Sequence, residues 1–98
     1  MDFEIVDSEL EDMAYNGNYK GRWPDSIVKA YRKRVTLIKQ AKNSVDLYAL
    51  RFLCLEKLKG KRQHEHSMRL NDQYRLIVEF ATEHKKEKVL IKKIEDYH

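Results

Sequence analysis

Tyr74, Leu76, Val78 and Phe80 alternate with Gln73, Arg75, Ile77 and Glu79. A period of two is what a half-buried strand requires and what a helix cannot use. His66 to Leu70 precedes this run and Lys88 to Ile94 follows it, so the last third of the chain is expected to be an antiparallel meander. Parity sets the register of its first hairpin. If Asn71 and Asp72 alone formed the loop, Leu70 would face Gln73 and Met68 would face Arg75, and the apolar residues of the two strands would lie on opposite faces of the sheet. A three-residue loop, Asn71 to Gln73, places Leu70 beside Tyr74 and Met68 beside Leu76, and Asn and Asp tolerate the backbone that such a loop needs. The same register sets Arg69 opposite Arg75. Like charges across a ladder disfavour each other unless they splay into solvent or share an anion, and the residues leave both alternatives open.

Helices account for most of the chain before this sheet. Phe3 to Val6 can form a first strand, and Asp7-Ser8 can cap a helix over Glu9 to Tyr15 whose acids lie in its first turn, where the helix dipole favours them. Asn16-Gly17-Asn18 ends it. After the loop Tyr19 to Pro24, in which Trp23 is a candidate packing anchor, Asp25 is expected to cap a helix from Ser26 to about Lys42. Its apolar residues Ile27, Val28, Tyr31, Val35 and Ile38 fall on one arc, with Lys29, Arg32 and Lys33 on the far side. Asn43-Ser44 caps a further turn, Val45 to Leu50. Phe52, Leu53, Leu55 and Leu58 are expected in the core, and Gly60 permits a turn in the basic connector that follows. Thr82 to Glu87 reads as a hydrophilic loop. The expectation is one α+β domain over residues 1–98.

Charge narrows the class of partner. All six acids of the first sixteen residues precede the first base, Lys20; the remainder holds the chain's 20 Lys and Arg against ten acids, a surplus of +10. Such a surplus points to a polyanion, most often nucleic acid. No apolar run approaches the roughly 20 residues that span a bilayer, and none follows a basic start as in a signal peptide, so a soluble, cytoplasmic protein without membrane contact is expected. The single Cys54 excludes an intrachain disulfide. His64 and His66 alternate on a strand, but without a Cys cluster or carboxylate pair at ligand spacing no metal site and no cofactor is expected. A glycine-rich phosphate loop and a nucleophile–base spacing are likewise missing.

RNA can be cleaved by its own 2′-hydroxyl if a base takes that proton, a cation stabilises the phosphorane and an acid protonates the departing 5′-oxygen. Arg75 has the planar fork that suits a phosphate. Tyr97 and His98 offer a stacking ring and proton-transfer groups, Glu56 a carboxylate base, and Lys57 and Lys59 cations that can steer the backbone. Arg69, opposite Arg75, is a candidate second phosphate contact.

Leu55-Glu-Lys-Leu-Lys-Gly60, Ser67-Met-Arg-Leu-Asn-Asp-Gln-Tyr-Arg-Leu76 and Glu95-Asp-Tyr-His98 together resemble the HigB-type killer toxins of the RelE/ParE superfamily. The resemblance runs nearly end to end, with residues 1–25 carrying little of it. It implies a β-α-α-β-β-β fold, with a small, mainly antiparallel twisted sheet and N-terminal helices on one face. It further implies a toxin of a type II toxin–antitoxin system, a ribosome-dependent, metal-independent mRNA endonuclease that cuts message in the A site of the 70S ribosome. Its expected partner is a helix-turn-helix antitoxin of HigA type, and a toxin–antitoxin heterotetramer is among the assemblies implied. On matching positions Arg75 would stabilise the transition state, and Tyr97 and His98 would orient the RNA and exchange protons. Glu56 stands where several relatives carry a His, which leaves the base as Glu56 or His98. The ribosomal RNA surface would comprise Lys29, Arg32 and Lys33 on the basic helix, with Lys57, Lys59, Lys61 and Arg62 on the connector. Two alternatives remain, a ParE-like poison of DNA gyrase and a non-enzymatic basic RNA-binding domain.

Overall fold

The computed structural model describes residues 1–97. Strand β1 (Asp2–Ile5) leads into helix α1 (Ser8–Tyr15), with Asp7 at the N-cap accepting the Leu10 amide at 3.0 Å. Helix α2 (Asp25–Gln40) buries the five expected residues Ile27, Val28, Tyr31, Val35 and Ile38. Its N-cap is Pro24, not Asp25; Asp25 is the first helical residue, makes no capping bond and contributes its charge to the helix N-terminus. Asn43 caps the short helix α3 (Ser44–Ala49) through the amides of Val45 and Asp46. No helix among the described residues is long and apolar enough to cross a membrane.

A five-stranded sheet follows the order β1-β5-β4-β3-β2, with β2 at Glu56–Lys57, β3 at Glu65–Arg69, β4 at Tyr74–Glu83 and β5 at Lys86–Asp96. All neighbours are antiparallel except β1 and β5, which run parallel. The two-residue edge strand β2 adds one strand to the expected order, because the connector pairs briefly with β3 through Glu56↔Ser67 and Lys57↔His66. Met68 faces Leu76, Arg69 faces Arg75, and the Leu70 amide donates to the Tyr74 carbonyl at 3.0 Å, so the hairpin has the expected three-residue loop. The Asn71 side chain closes it by accepting the amides of Gln73 and Tyr74 at 2.9 and 2.7 Å.

The hydrophilic segment Thr82 to Glu87 is not a loop. Thr82 pairs with Glu87 and Glu83 with Lys86, and only His84 and Lys85 form the turn, with φ of 52° and 66°. Positive φ at both positions matches the twist of the flanking strands, so a tight hairpin forms without the usual glycine. A register shift between Ile77 and Val78 leaves Lys92 as an extra residue on β5. This bulge reconciles the uneven spacing of Val89, Ile91 and Ile94, which fall opposite Phe80, Val78 and Leu76 and so share the core face.

Met68, Leu76, Val78, Val89 and Ile91 pack on Met13, Tyr31, Ile38, Leu47 and Leu53, and the helices therefore lie on one face of the sheet. Trp23 anchors the corner edge-on to Tyr74, with ring centroids 5.2 Å apart. Phe52, expected in the core, is 54% exposed. The 3₁₀ turn Arg51–Leu53 advances about 120° per residue, so turning Leu53 inward turns Phe52 outward, under the Arg34 guanidinium.

Candidate active site

Residues at odd positions of β4 point to the sheet face opposite the helices, and there the side chain of Arg75 is only 7% exposed. Its Nη2 donates to the carbonyl oxygens of Cys54 at 2.5 Å and Ser67 at 3.2 Å. Cys54 ends the 3₁₀ turn with φ of 46°, a left-handed residue that reverses the chain just before β2. The Tyr97 ring lies over the guanidinium, 5.0 Å from its carbon, and is 53% exposed. Its backbone is tied to the hairpin loop by a 2.6 Å bond from the Tyr97 amide to the Gln73 carbonyl.

Arg75 and Tyr97 line a cleft of about 220 Å³ with Ser67, Arg62 and Glu95. Glu95 is in register with Arg75 and is the obvious ion-pair partner for it. Arg62 takes that carboxylate instead, bidentately at 2.8 and 2.7 Å, while its Nε bonds Glu65 at 2.7 Å. Those bonds, Glu95 first and Glu65 second, raise the affinity of Arg62 for its proton, and the Arg62 bond holds the Glu95 carboxyl below its usual range. Among the described residues Arg75 therefore has carbonyls and a ring as partners and no carboxylate.

A second cluster adjoins the cleft. Glu65 and Glu79 stand opposite each other, and the bulged Lys92 reaches both, at 3.0 and 2.7 Å. Burial opposes ionisation of Glu65, yet hydrogen bonds from Arg62 and Lys92 outweigh it and bring the carboxyl down to about 2. His64 joins these two acids within 4.8 Å, the one grouping among the described residues with the donors for a metal. Lys92 supplies there the positive charge that such a group would otherwise take from an ion. A larger hollow of about 720 Å³, between Met1 and the β4–β5 turn, contains none of the candidate residues.

The remaining candidates divide by face. Glu56 is exposed and in register with Ser67, so it points to the same side as Arg75. Its neighbour Lys57 points to the other side, beside His66, whose ring meets Phe80 edge-on at 4.8 Å and whose protonation is disfavoured by burial and then by Lys57. Lys59 and Lys61 are exposed on the connector. Arg69 turns away from Arg75 to pair with Asp72, and its Nε bonds the Asn71 carbonyl at 3.3 Å. Lys29 and Lys33 are exposed on the outer side of α2, across the sheet from the cleft. Arg32 closes the C-terminal end of α1 through the carbonyls of Met13 and Asn16, at 2.7 and 2.8 Å. His98 lies outside the described residues. The fold thus gathers Arg75, Tyr97, Arg62 and Glu56, and adds Ser67 and Glu95, which the sequence reading did not single out. Continuing the hairpin register two residues past Arg69 reaches Ser67, and carrying it across to the last strand reaches Glu95.

Residues 4–98 match the family model of the HigB-like toxins, described as the RelE-like toxin of type II toxin-antitoxin system HigB. Among solved structures the chain is similar to the YoeB/ParE toxin from Agrobacterium tumefaciens, with a TM-score of 0.61 and 12% identity over 100% of both chains. At that identity the likeness is one of fold. No curated protein matches this chain.

Proposed function

This chain belongs to the HigB-like family of RelE-like toxins of type II toxin–antitoxin systems, and from that premise we propose that it is a ribosome-dependent endoribonuclease that cuts translated mRNA. The observation that carries the reading is Arg75, a buried cation with no carboxylate partner among the described residues, packed under the exposed ring of Tyr97 beside a cleft. A cation held in place before the reaction stabilises the charge that develops on a phosphorane, with little reorganisation at the moment of attack.

In the proposed reaction Glu56 or His98 takes the proton of the 2′-hydroxyl, and the alkoxide attacks the adjacent phosphorus. Arg75 stabilises the extra negative charge on the nonbridging oxygens. The bond to the 5′-oxygen breaks as Tyr97 or His98 donates a proton to it, leaving a 2′,3′-cyclic phosphate and a free 5′-hydroxyl. The sequence needs no metal to balance. The exposed Lys59 and Lys61 and the general basic surplus suit docking on ribosomal RNA. A HigA-type helix-turn-helix antitoxin as partner, a heterotetrameric complex with it and a cytoplasmic setting complete the reading.

Purified protein on programmed ribosomes provides the test. Wild type is expected to produce 5′ ends mapping within codons, and Arg75→Ala to lower the rate by about 10²–10³-fold, as removal of one transition-state donor typically does. Undiminished cleavage by Arg75→Ala would remove this site, and DNA breaks with intact message would favour a gyrase poison.

A further inference from the structure

Two hydrogen-bond donors in the cleft have no partner among the described residues. Ser67 is 2% exposed and Arg75 is 7% exposed, and neither Ser67 Oγ nor Arg75 Nε has a hydrogen-bond partner among the described residues. Folded proteins rarely leave buried donors unpaired, and such groups concentrate where a ligand completes them. The two side chains share a face, because Ser67 is in register with Ile77, two residues beyond Arg75. They are also held together: Arg75 Nη2 donates to the carbonyl of Ser67 itself. A guanidinium whose Nη2 is committed to carbonyls still offers Nε–H, and a neighbouring hydroxyl adds a second donor, a combination suited to a phosphate oxygen.

The surroundings favour the same ligand. The cleft measures about 220 Å³, below the roughly 300–1,000 Å³ of pockets that enclose whole small molecules; its size suits one charged group. Of the carboxylates that line it, Glu95 is neutralised bidentately by Arg62 and Asp96 accepts a bond from Gln73 at 3.2 Å. Tyr97 covers the guanidinium with a half-exposed ring.

We propose that Ser67 is a substrate-contacting residue, its hydroxyl donating to a nonbridging oxygen of the scissile phosphodiester beside Arg75 once the Tyr97 ring has swung aside. Ser67 makes and breaks no covalent bond. The proposal rests on the ribonuclease reading, and its test separates the two. Inorganic phosphate is titrated into the full chain, and the Arg75 Nε–H resonance is followed by NMR in wild type and Ser67→Ala; the same proteins are assayed for cleavage on programmed ribosomes and for thermal unfolding. A saturable shift of that resonance is expected in wild type. Ser67→Ala is expected to weaken phosphate roughly tenfold and to slow cleavage by a similar factor, in line with one hydrogen bond to a charged group. Its thermal midpoint should stay level or rise, because the variant loses an unpaired buried hydroxyl; a merely structural serine would lower it. Equal phosphate affinity in the two proteins, or no phosphate-dependent shift at Arg75 in wild type, overturns the proposal. If wild type cuts message and Ser67→Ala binds phosphate and cuts equally well, the ribonuclease reading stands without Ser67. If phosphate depends on Ser67 but wild type leaves message intact, the anion seat stands and the ribonuclease reading falls.

Discussion

Arg75 shows how neighbours decide what a side chain can do. Opposite it stand Arg69 and Glu95, one like charge and one opposite. Had Glu95 paired with it, Arg75 would be an ordinary cross-strand ion pair. Arg62 takes Glu95 and Asp72 takes Arg69, which among the described residues leaves a buried guanidinium held by neutral carbonyls and a ring. On the ribonuclease reading the base is Glu56 or His98. Glu56 shares the face of Arg75, which makes it a candidate on geometry. On the ribonuclease reading, replacement of the true base is expected to cost about 10²–10⁴-fold in cleavage rate. Single-turnover cleavage by Glu56→Gln and by a chain lacking His98, each compared with wild type on the same ribosomes, identifies which of the two it is. A small effect from both would exclude each of them as the base.

Among the elements, β5 does the most to organise the sheet. Its bulge at Lys92 lets Val89, Ile91 and Ile94 share one face and delivers an ammonium to two opposed carboxylates on the other. The two effects separate by mutation. Deleting Lys92 removes the extra residue and leaves Lys93 and Ile94 opposite Ile77 and Leu76 in an unbroken ladder, so Ile94 keeps its core position; a chain that still unfolds cooperatively by circular dichroism is expected. Lys92→Met keeps the residue count and loses only the charge. It should fold, with stability in urea lower by about 1–2 kcal/mol, a discounted figure because Lys92 retains some exposure. Loss of cooperative folding in the deletion variant would contradict this register.

On the scale of the whole molecule, the ionisable groups give acid sensitivity a defined shape. The folded state holds His66 below its usual range, through burial and then Lys57, and the Glu65 carboxyl down at about 2. Both are depressed relative to the unfolded chain, so unfolded protein binds more protons in each window and stability falls as pH falls. The first loss should begin as pH drops below about 6.5, the ordinary histidine value, and the second below about 4.5 toward about 2. Urea unfolding across pH is expected to show both, with His66→Gln abolishing the upper step and Glu65→Gln reducing the lower, to which the Glu95 carboxyl, also held down by Arg62, contributes as well. Stability that is flat from pH 7 to 3 would contradict the packing described for both residues. Basic groups are spread over both faces at this scale: Lys59 and Lys61 on the connector, Lys29 and Lys33 across the sheet from the cleft.

Periodicity and parity are local properties, and the features they govern were legible in the residues themselves. The alternation from Gln73 to Phe80, the five buried positions of α2 and the three-residue hairpin all follow from burying one apolar face, with one arrangement satisfying each pattern. The motifs around Glu56, Arg75 and Tyr97 likewise pointed to the family. Other features depended on partners distant in sequence. Whether Arg75 is neutralised depends on Arg62, thirteen positions earlier, taking Glu95, thirty-three positions after it. Which face Ile94 occupies depends on a single extra residue whose bulge forms only against β4. Phe52 and Leu53 are equally apolar, and only the turn they share, docked on the sheet, sends one outward and the other inward. Ser67 is an ordinary serine until β2, β3 and β4 assemble and seal its hydroxyl beside Arg75 with no hydrogen-bond partner among the described residues. Local chain energetics select helix, strand and turn; competition among charges and donors for a limited set of partners is settled only when the elements pack, and here, among the described residues, that competition leaves the cation of the candidate site without a carboxylate partner.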